Sequence, residues 1–267
     1  MGARAARGAR RAPVADQGPP HAGGRGGLRA VRAPQPDTPG KLVAHAYSYE
    51  HLEEASYELL ALVADRAGDE ATAGMARHVR DEERAMGERL AGLYDRAVDA
   101  SLGGAEDPEA QLVKYLRDAH AIEAQADTLL GRAAEGGGDP ALEALYAGHR
   151  GEERNHQELL RVRLAAHDSR PSRFKDSALR AGGLNWSALF QGRPDTPAKL
   201  AAFAYAFEHL QIAGYEQLMR VAERAGDSET VRTVERILAE ERAAARGLRD
   251  AFERATDAAL EAQGATA

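Results

Sequence analysis

Residues 36–102 and 194–260 spell the same segment twice, in register at an offset of 158 and without a gap. One copy begins PDTPGKLVAHAYSYEHLEEASYELL and the other PDTPAKLAAFAYAFEHLQIAGYEQL, and about half of the paired positions are identical. Glu50/Glu208, His51/His209, Tyr57/Tyr215 and Glu82-Glu83/Glu240-Glu241 are among the shared pairs. A repeat of this length means that one supersecondary unit has been used twice, so the shape of that unit limits the fold. In each copy a Gly-Asp pair, 68–69 and 226–227, supplies a helix-ending glycine followed by a cap for the next helix. Each copy therefore reads as an antiparallel helical hairpin.

In the first copy Leu42, Ala46, Tyr49, Leu52, Tyr57, Leu60 and Val63 recur at helical spacing, which predicts an inward stripe. A second helix is expected from about residue 70 to 101, with Met75, Val79, Met86, Leu90, Leu93 and Val98 facing inward. Between the copies lies a different unit. It has one expected helix from about 107 to 134, the break Gly136-Gly137-Gly138-Asp139-Pro140, and a second helix from about 141 to 167. A connection at 168–193, with a possible short helix near the lone Trp186, leads to the second copy, whose helices are expected near 196–225 and 228–262. The prediction is all-α, with six main helices in three hairpins.

Alanine, leucine, glutamate and arginine dominate, and only 5% of residues are aromatic, a balance that favours helix over sheet. The absence of cysteine excludes disulfides, thiolate nucleophiles and thiolate-bound metals. No apolar run approaches the roughly 20 residues that span a bilayer. Residues 1–35 hold seven arginines against the single acid Asp16, so the remainder carries most of the negative charge behind the overall −7. That argues against a nucleic-acid-binding face on the body of the chain and leaves only the basic tail for such contacts. The tail itself, rich in Gly, Pro and Ala without apolar periodicity, is expected to be disordered. Arg10-Arg11 is not followed by an apolar segment, so export is not expected and a cytoplasmic location is.

The chemistry lies in acids that interrupt inward stripes. Leu116, Ala119, Glu123, Ala126 and Leu130 share one helix face, and Ala204, Glu208, Gln211, Tyr215 and Leu218 share another. Val234, Leu238, Glu241, Ala245, Leu248 and Phe252 share a third. On the helix between them Leu142, Leu145, His149, Glu152, His156 and Leu159 line up, and Glu153 to His156 is a literal Glu-x-x-His. One carboxylate per helix converging inside a bundle costs several kcal/mol per unpaired charge, and a cation is the simplest compensation. Two metal ions held by a Glu from each of two helices and a Glu-x-x-His from each of the others is a known arrangement of this kind. Here Ala244 stands three residues after Glu241, so the second Glu-x-x-His is missing.

The runs LRDAHAIEAQADTLL, GHRGEERNHQELLRV, FEHLQIAGYEQL and ILAEERAAARGL, taken in order, resemble the ferritin-like proteins of the YciE/YciF type. The resemblance covers residues 106–262 as a whole unit, and residues 36–102 look like an extra copy of the family's second hairpin. It implies a ferritin-like antiparallel four-helix bundle with a proposed dinuclear iron site and an additional helical hairpin. It places the family's acids on Glu123, on Glu152 with His149 before it, on Glu208, and on Glu240-Glu241. Gln211 stands where the family carries a second glutamate, and Ala245 where it carries another acid. The metal-ligand set expected from residues and resemblance together is Glu123, His149, Glu152, Glu153, His156, Glu208 and Glu241. Iron or manganese is the expected cofactor, dinuclear if the site is intact, in an iron-handling or stress-related role. Activity would be at most ferroxidase-like or peroxide-consuming. Glu50, Glu53 and Glu83 of the first copy offer a second acid set that would be completed if that copy paired with the middle hairpin. A homodimer is expected. The alternative is a metal-free scaffold whose inward acids are protonated or paired with Arg and His.

Overall fold

The computed structural model describes residues 38–103, 107–179 and 196–265. Eight helices are labelled here: α1 (Thr38–Arg66), α2 (Glu70–Ala91), α3 (Tyr94–Leu102), α4 (Pro108–Gly136), α5 (Pro140–Ala166), α6 (Thr196–Ala225), α7 (Ser228–Asp250) and α8 (Phe252–Ala262). Residues 173–179 are also helical, and no strand occurs among the described residues. The expectations for residues 1–35 and for Trp186 lie outside them.

Local chemistry sets the boundaries. Asp107 and Asp139 are N-caps followed directly by proline, and their carboxylates accept from backbone amides of the first turn. Asp69 and Asp227, mates across the repeat, each accept from the amide three residues on, Thr72 and Thr230, at 3.0 Å. The preceding Gly68 and Gly226 hold φ of 69° and 72°, where a side chain would be strained.

The second helix of each copy is not continuous as the sequence suggested. It breaks at Gly92-Leu93 in one copy and at Ala251 in the other, which are matching places. Glycine is not the shared cause, because Asp250 stands opposite Gly92 in the repeat. Both breaks are followed at once by a buried aromatic, Tyr94 or Phe252, each 3% exposed. Turning the helix there brings that ring onto the core.

Helices α4 and α5 pair with each other, α6 pairs with α7, α4 packs on α6 and α5 on α7. The second copy therefore completes a four-helix bundle with the middle hairpin. The first copy packs on the other side of α6, chiefly through α1. Its contact with the second copy joins repeat mates. Ser48 Oγ donates to the carbonyl of its mate Ala206 at 2.7 Å, and His51 stacks on its mate His209 with ring centroids 3.6 Å apart. An element that meets its own duplicate is related to it by a two-fold axis, here an approximate one inside a single chain.

This placement overturns part of the expected core. Leu42, Tyr49, Leu60 and Val63 of α1, Met75 and Met86 of α2, and Leu93 are exposed. The first copy instead buries Ala44, His51, Glu54, Ala55, Leu59 and Ala61. The stripe is helical, as its spacing predicts, but the middle hairpin covers its counterpart on α6–α7 only.

Candidate metal centre

Three of the four inward faces are as expected. The side chains named for α4, α6 and α7 are all buried, including Glu123, Glu208, Gln211 and Glu241. On α5 the face is turned by one position. Leu142, Tyr146, His149, Glu153, His156, Leu160 and Leu164 are buried, whereas Glu152 is exposed. Glu153, not Glu152, is thus the acid that α5 sends inward. Both registers follow spacings of 3 and 4, about 100° apart, but the true one carries four large apolar residues against three. That count was a readable signal.

Glu123, Glu153, His156 and Glu241 converge, each offering a ligand atom within 4.8 Å of the others. Three helices, α4, α5 and α7, supply them, and α6 fills the centre with polar groups. Gln211 Nε2 lies 2.8 Å from Glu153 Oε2, 3.3 Å from Glu123 Oε1 and 3.4 Å from Glu241 Oε1, donating among them. The Tyr215 hydroxyl donates to Glu123 Oε1. Glu208 is buried one turn before Gln211 and is coupled to Glu241 by charge and hydrogen bonding, outside the four-ligand group. His149 is buried one turn before Glu153, beside the backbone of Gly247, and it too stays outside the group. The expected set thus comes together in Glu123, Glu153, His156 and Glu241, with Glu208 adjacent and with His149 and Glu152 elsewhere.

His156 is the hinge of the electrostatics. Its Nδ1 faces Glu241 Oε1 at 3.2 Å and Glu123 Oε2 at 3.7 Å, and its Nε2 lies 2.7 Å from Glu240 Oε2. Burial alone would discharge the ring, but the Glu123 and Glu241 carboxylates outweigh it and raise its pKa to about 11. Burial likewise raises the Glu123 carboxyl, yet hydrogen bonds with Glu153, His156 and Tyr215 prevail and hold it below the usual range. Glu153 and Glu208 go the other way. Burial first, and then the charges of Glu123 and Glu241 for Glu153 and chiefly of Glu241 for Glu208, push both carboxyls well above their ordinary value. Burial also raises Glu241. The site without metal therefore favours an imidazolium at His156 and the protonated form of the Glu153 and Glu208 carboxyls.

The residues present fit a cation. Glu208 Oε2 and Gln211 Oε1 are buried without a hydrogen-bond partner, and Glu123 Oε2 and His156 Nδ1 meet charged neighbours without well-aligned hydrogen bonds, a concentration of poorly satisfied polar atoms that a core does not ordinarily tolerate. Ligand atoms about 2.1 Å from one ion lie roughly 3 to 4.2 Å apart, so groups already within 4.8 Å of one another would close on a metal by side-chain shifts on the order of an ångström. Glu50, Glu53 and Glu83 also approach one another, but in the half-buried face of the first copy and away from the middle hairpin.

The family described as Domain of unknown function (DUF892) matches residues 38–103 and 107–261, which is most of the chain and splits between the extra hairpin and the bundle. Among solved structures, a protein of Xanthomonas campestris pv. campestris is similar at 27% identity with a TM-score of 0.50. The similarity covers 59% of this chain and 99% of that one.

Proposed function

The chain belongs to the DUF892 family, a member of the ferritin-like superfamily, and from that premise we propose that its bundle is a binding site for one divalent metal ion, iron or manganese. Glu123, Glu153, His156 and Glu241 would hold the ion. The observation that carries this reading is the meeting of these four groups, fully buried, beside polar atoms that have no partner within the protein. Carboxylates with one imidazole suit manganese and iron rather than the softer ions that prefer thiolate. Bound there, such an ion would supply one-electron redox chemistry toward oxygen or peroxide, in keeping with the resemblance to the YciE/YciF type.

A single ion rather than a pair is favoured by Gln211. Its amide nitrogen sits among the three carboxylates, a neutral donor where a second ion would need an acceptor. The protein's own groups also provide a way out for displaced protons. His156 is buried, while Glu240, hydrogen-bonded to its Nε2, has a side chain 34% exposed. A proton leaving the imidazolium reaches the surface through that carboxylate.

The test is metal content per chain, measured on protein purified without a metal-affinity tag and again after reloading with Fe(II) or Mn(II). About one equivalent, lost on Glu123→Ala and on His156→Ala, is expected for a single four-ligand site. Two equivalents would sink the single-ion reading, and none would sink the metal site. The second outcome has its own structural support, since the His156 ion pairs and the Gln211 amide already offset part of the buried charge. A metal-free scaffold would then be the better description, with Glu123→Ala changing stability equally whether or not metal is added.

A further inference from the structure

The face of the first copy that lies uncovered has a counterpart elsewhere in the same chain that is covered. Leu42 is 49% exposed and its mate Leu200 7%; Tyr49 is 58% exposed and Phe207 6%; Leu60 is 39% exposed and Leu218 0%. On the second helix Met86 is 39% exposed and Ala244 6%. In the second copy these positions lie under the α4–α5 hairpin. Among the described residues there is one such hairpin and it is already used, so α1–α2 displays half of a four-helix bundle.

We propose that this face is closed by the same face of a second copy of the chain, giving a symmetric dimer whose interface is a four-helix bundle built from two α1–α2 hairpins. The internal bundle shows that a hairpin of this type seats such a partner. A hairpin meeting its own kind across a two-fold axis forms an interface that is self-complementary and closes without leaving a free face. The size is adequate. Two helices about 10 Å wide each, over the 22 residues of α2 at about 1.5 Å per residue, present roughly 650 Å² per protomer, or about 1,300 Å² in all, within the range of stable interfaces. The exposed apolar side chains also concentrate here. Among the described residues, the other exposed large apolar side chains are Val162 and Phe174. Glu50, Glu53 and Glu83 lie within the same face and approach their counterparts across the axis, so like charge opposes closure and limits the affinity.

This inference is independent of the metal centre, which lies on the other side of α6. Sedimentation velocity of the full chain over a wide range of concentration, in chelator, would show a monomer–dimer equilibrium. Leu60→Arg on α1 and Met86→Arg on α2, each placing a charge in the desolvated interface, are expected to weaken dimerisation at least about tenfold. Circular dichroism on the same samples checks that both variants keep their helices, and Val162→Arg on α5 should leave the equilibrium unchanged. A chain that stays monomeric at every concentration overturns the proposal, as does a dimer indifferent to both α1–α2 substitutions or broken by the change at Val162.

Discussion

At the scale of single residues, protons and metal compete for the same atoms. In the metal-free site the carboxylates of Glu123 and Glu241 raise His156 against the effect of burial, while burial and the same two charges raise Glu153, so both groups are biased toward their protonated forms. Metal binding must displace those protons, so affinity for Mn(II) should rise with pH between about 6 and 9, with proton release seen by calorimetry in buffers of different ionisation enthalpy. Affinity that does not change with pH would mean that the ion binds elsewhere. Gln211 gives a second prediction. Gln211→Glu adds a buried acid, so the metal-free variant should melt lower than the parent, while its metal content should rise from about one to about two equivalents. Metal content unchanged by that substitution would remove Gln211 as the feature that restricts the site. Glu123, Glu208 and Glu241 were legible in the sequence because each broke a clear apolar stripe. Glu153 is hard to separate from Glu152 in the sequence, because two registers of α5 obey the same spacing and differ only by four large apolar residues against three, a margin that packing against α4 and α7 makes decisive.

Elements show how a duplicated sequence diverges in role. Asp69 and Asp227 cap matching helices through matching amides, yet Asp227 also receives two hydrogen bonds from Arg163 and one from His167. Burial raises the Asp227 carboxyl, but the Thr230, His167 and Arg163 bonds outweigh it and hold its pKa well below the usual range. Asp227→Ala should therefore cost about 2 kcal/mol in denaturant unfolding, where loss of a cap alone typically costs about 1. Asp69→Ala should cost less than Asp227→Ala, and equal losses would show that the extra partners add nothing. The break between α2 and α3, repeated between α7 and α8, was not visible beforehand, since neither glycine nor proline marks both places. It follows from where Tyr94 and Phe252 find a core to enter, which is a property of the packed chain.

For the whole molecule, the contact between the two copies governs stability toward acid. Glu54 is buried there, hydrogen-bonded to His51 at 2.7 Å, Arg84 at 2.9 Å and Arg249 at 3.1 Å. Burial pushes its carboxyl up, but His51 and the two arginines prevail and lower its pKa to about 2. A carboxyl depressed in the folded state stabilises the fold above its unfolded pKa, near 4.5, and that contribution disappears as pH falls from there toward 2. The melting temperature should drop across that window, and Glu54→Gln should flatten the drop while lowering stability at neutral pH. A drop of the same steepness in the variant would assign acid sensitivity to other groups. Burial and then the neighbouring His51, on which it stacks, lower the His209 pKa to about 3, so this ring stays neutral through the upper part of the window and gains its proton only near the bottom of it. The repeat mate of Glu54 is Ile212. One copy thus contributes a charge where the other contributes an apolar side chain, and an approximate two-fold relation holds a polar network that true symmetry could not.

What the sequence determined by itself was local and periodic: the all-helical class, the hairpins, the capped turns, and an inward acid on α4, α6 and α7. Those features depend on contacts three and four residues apart and on backbone groups near each terminus, which a linear text records directly. The tertiary structure decided which of two nearly identical hairpins the middle unit would cover. It also decided which acid of α5 would meet Glu123 and Glu241, and which apolar stripe would be left at the surface. Glu50 and Glu208, Leu60 and Leu218, are the same letters in the same local pattern. Their difference in burial comes only from the presence of α4–α5 over one copy and not the other, because burial is set by neighbours distant in the chain and not by the residues beside them.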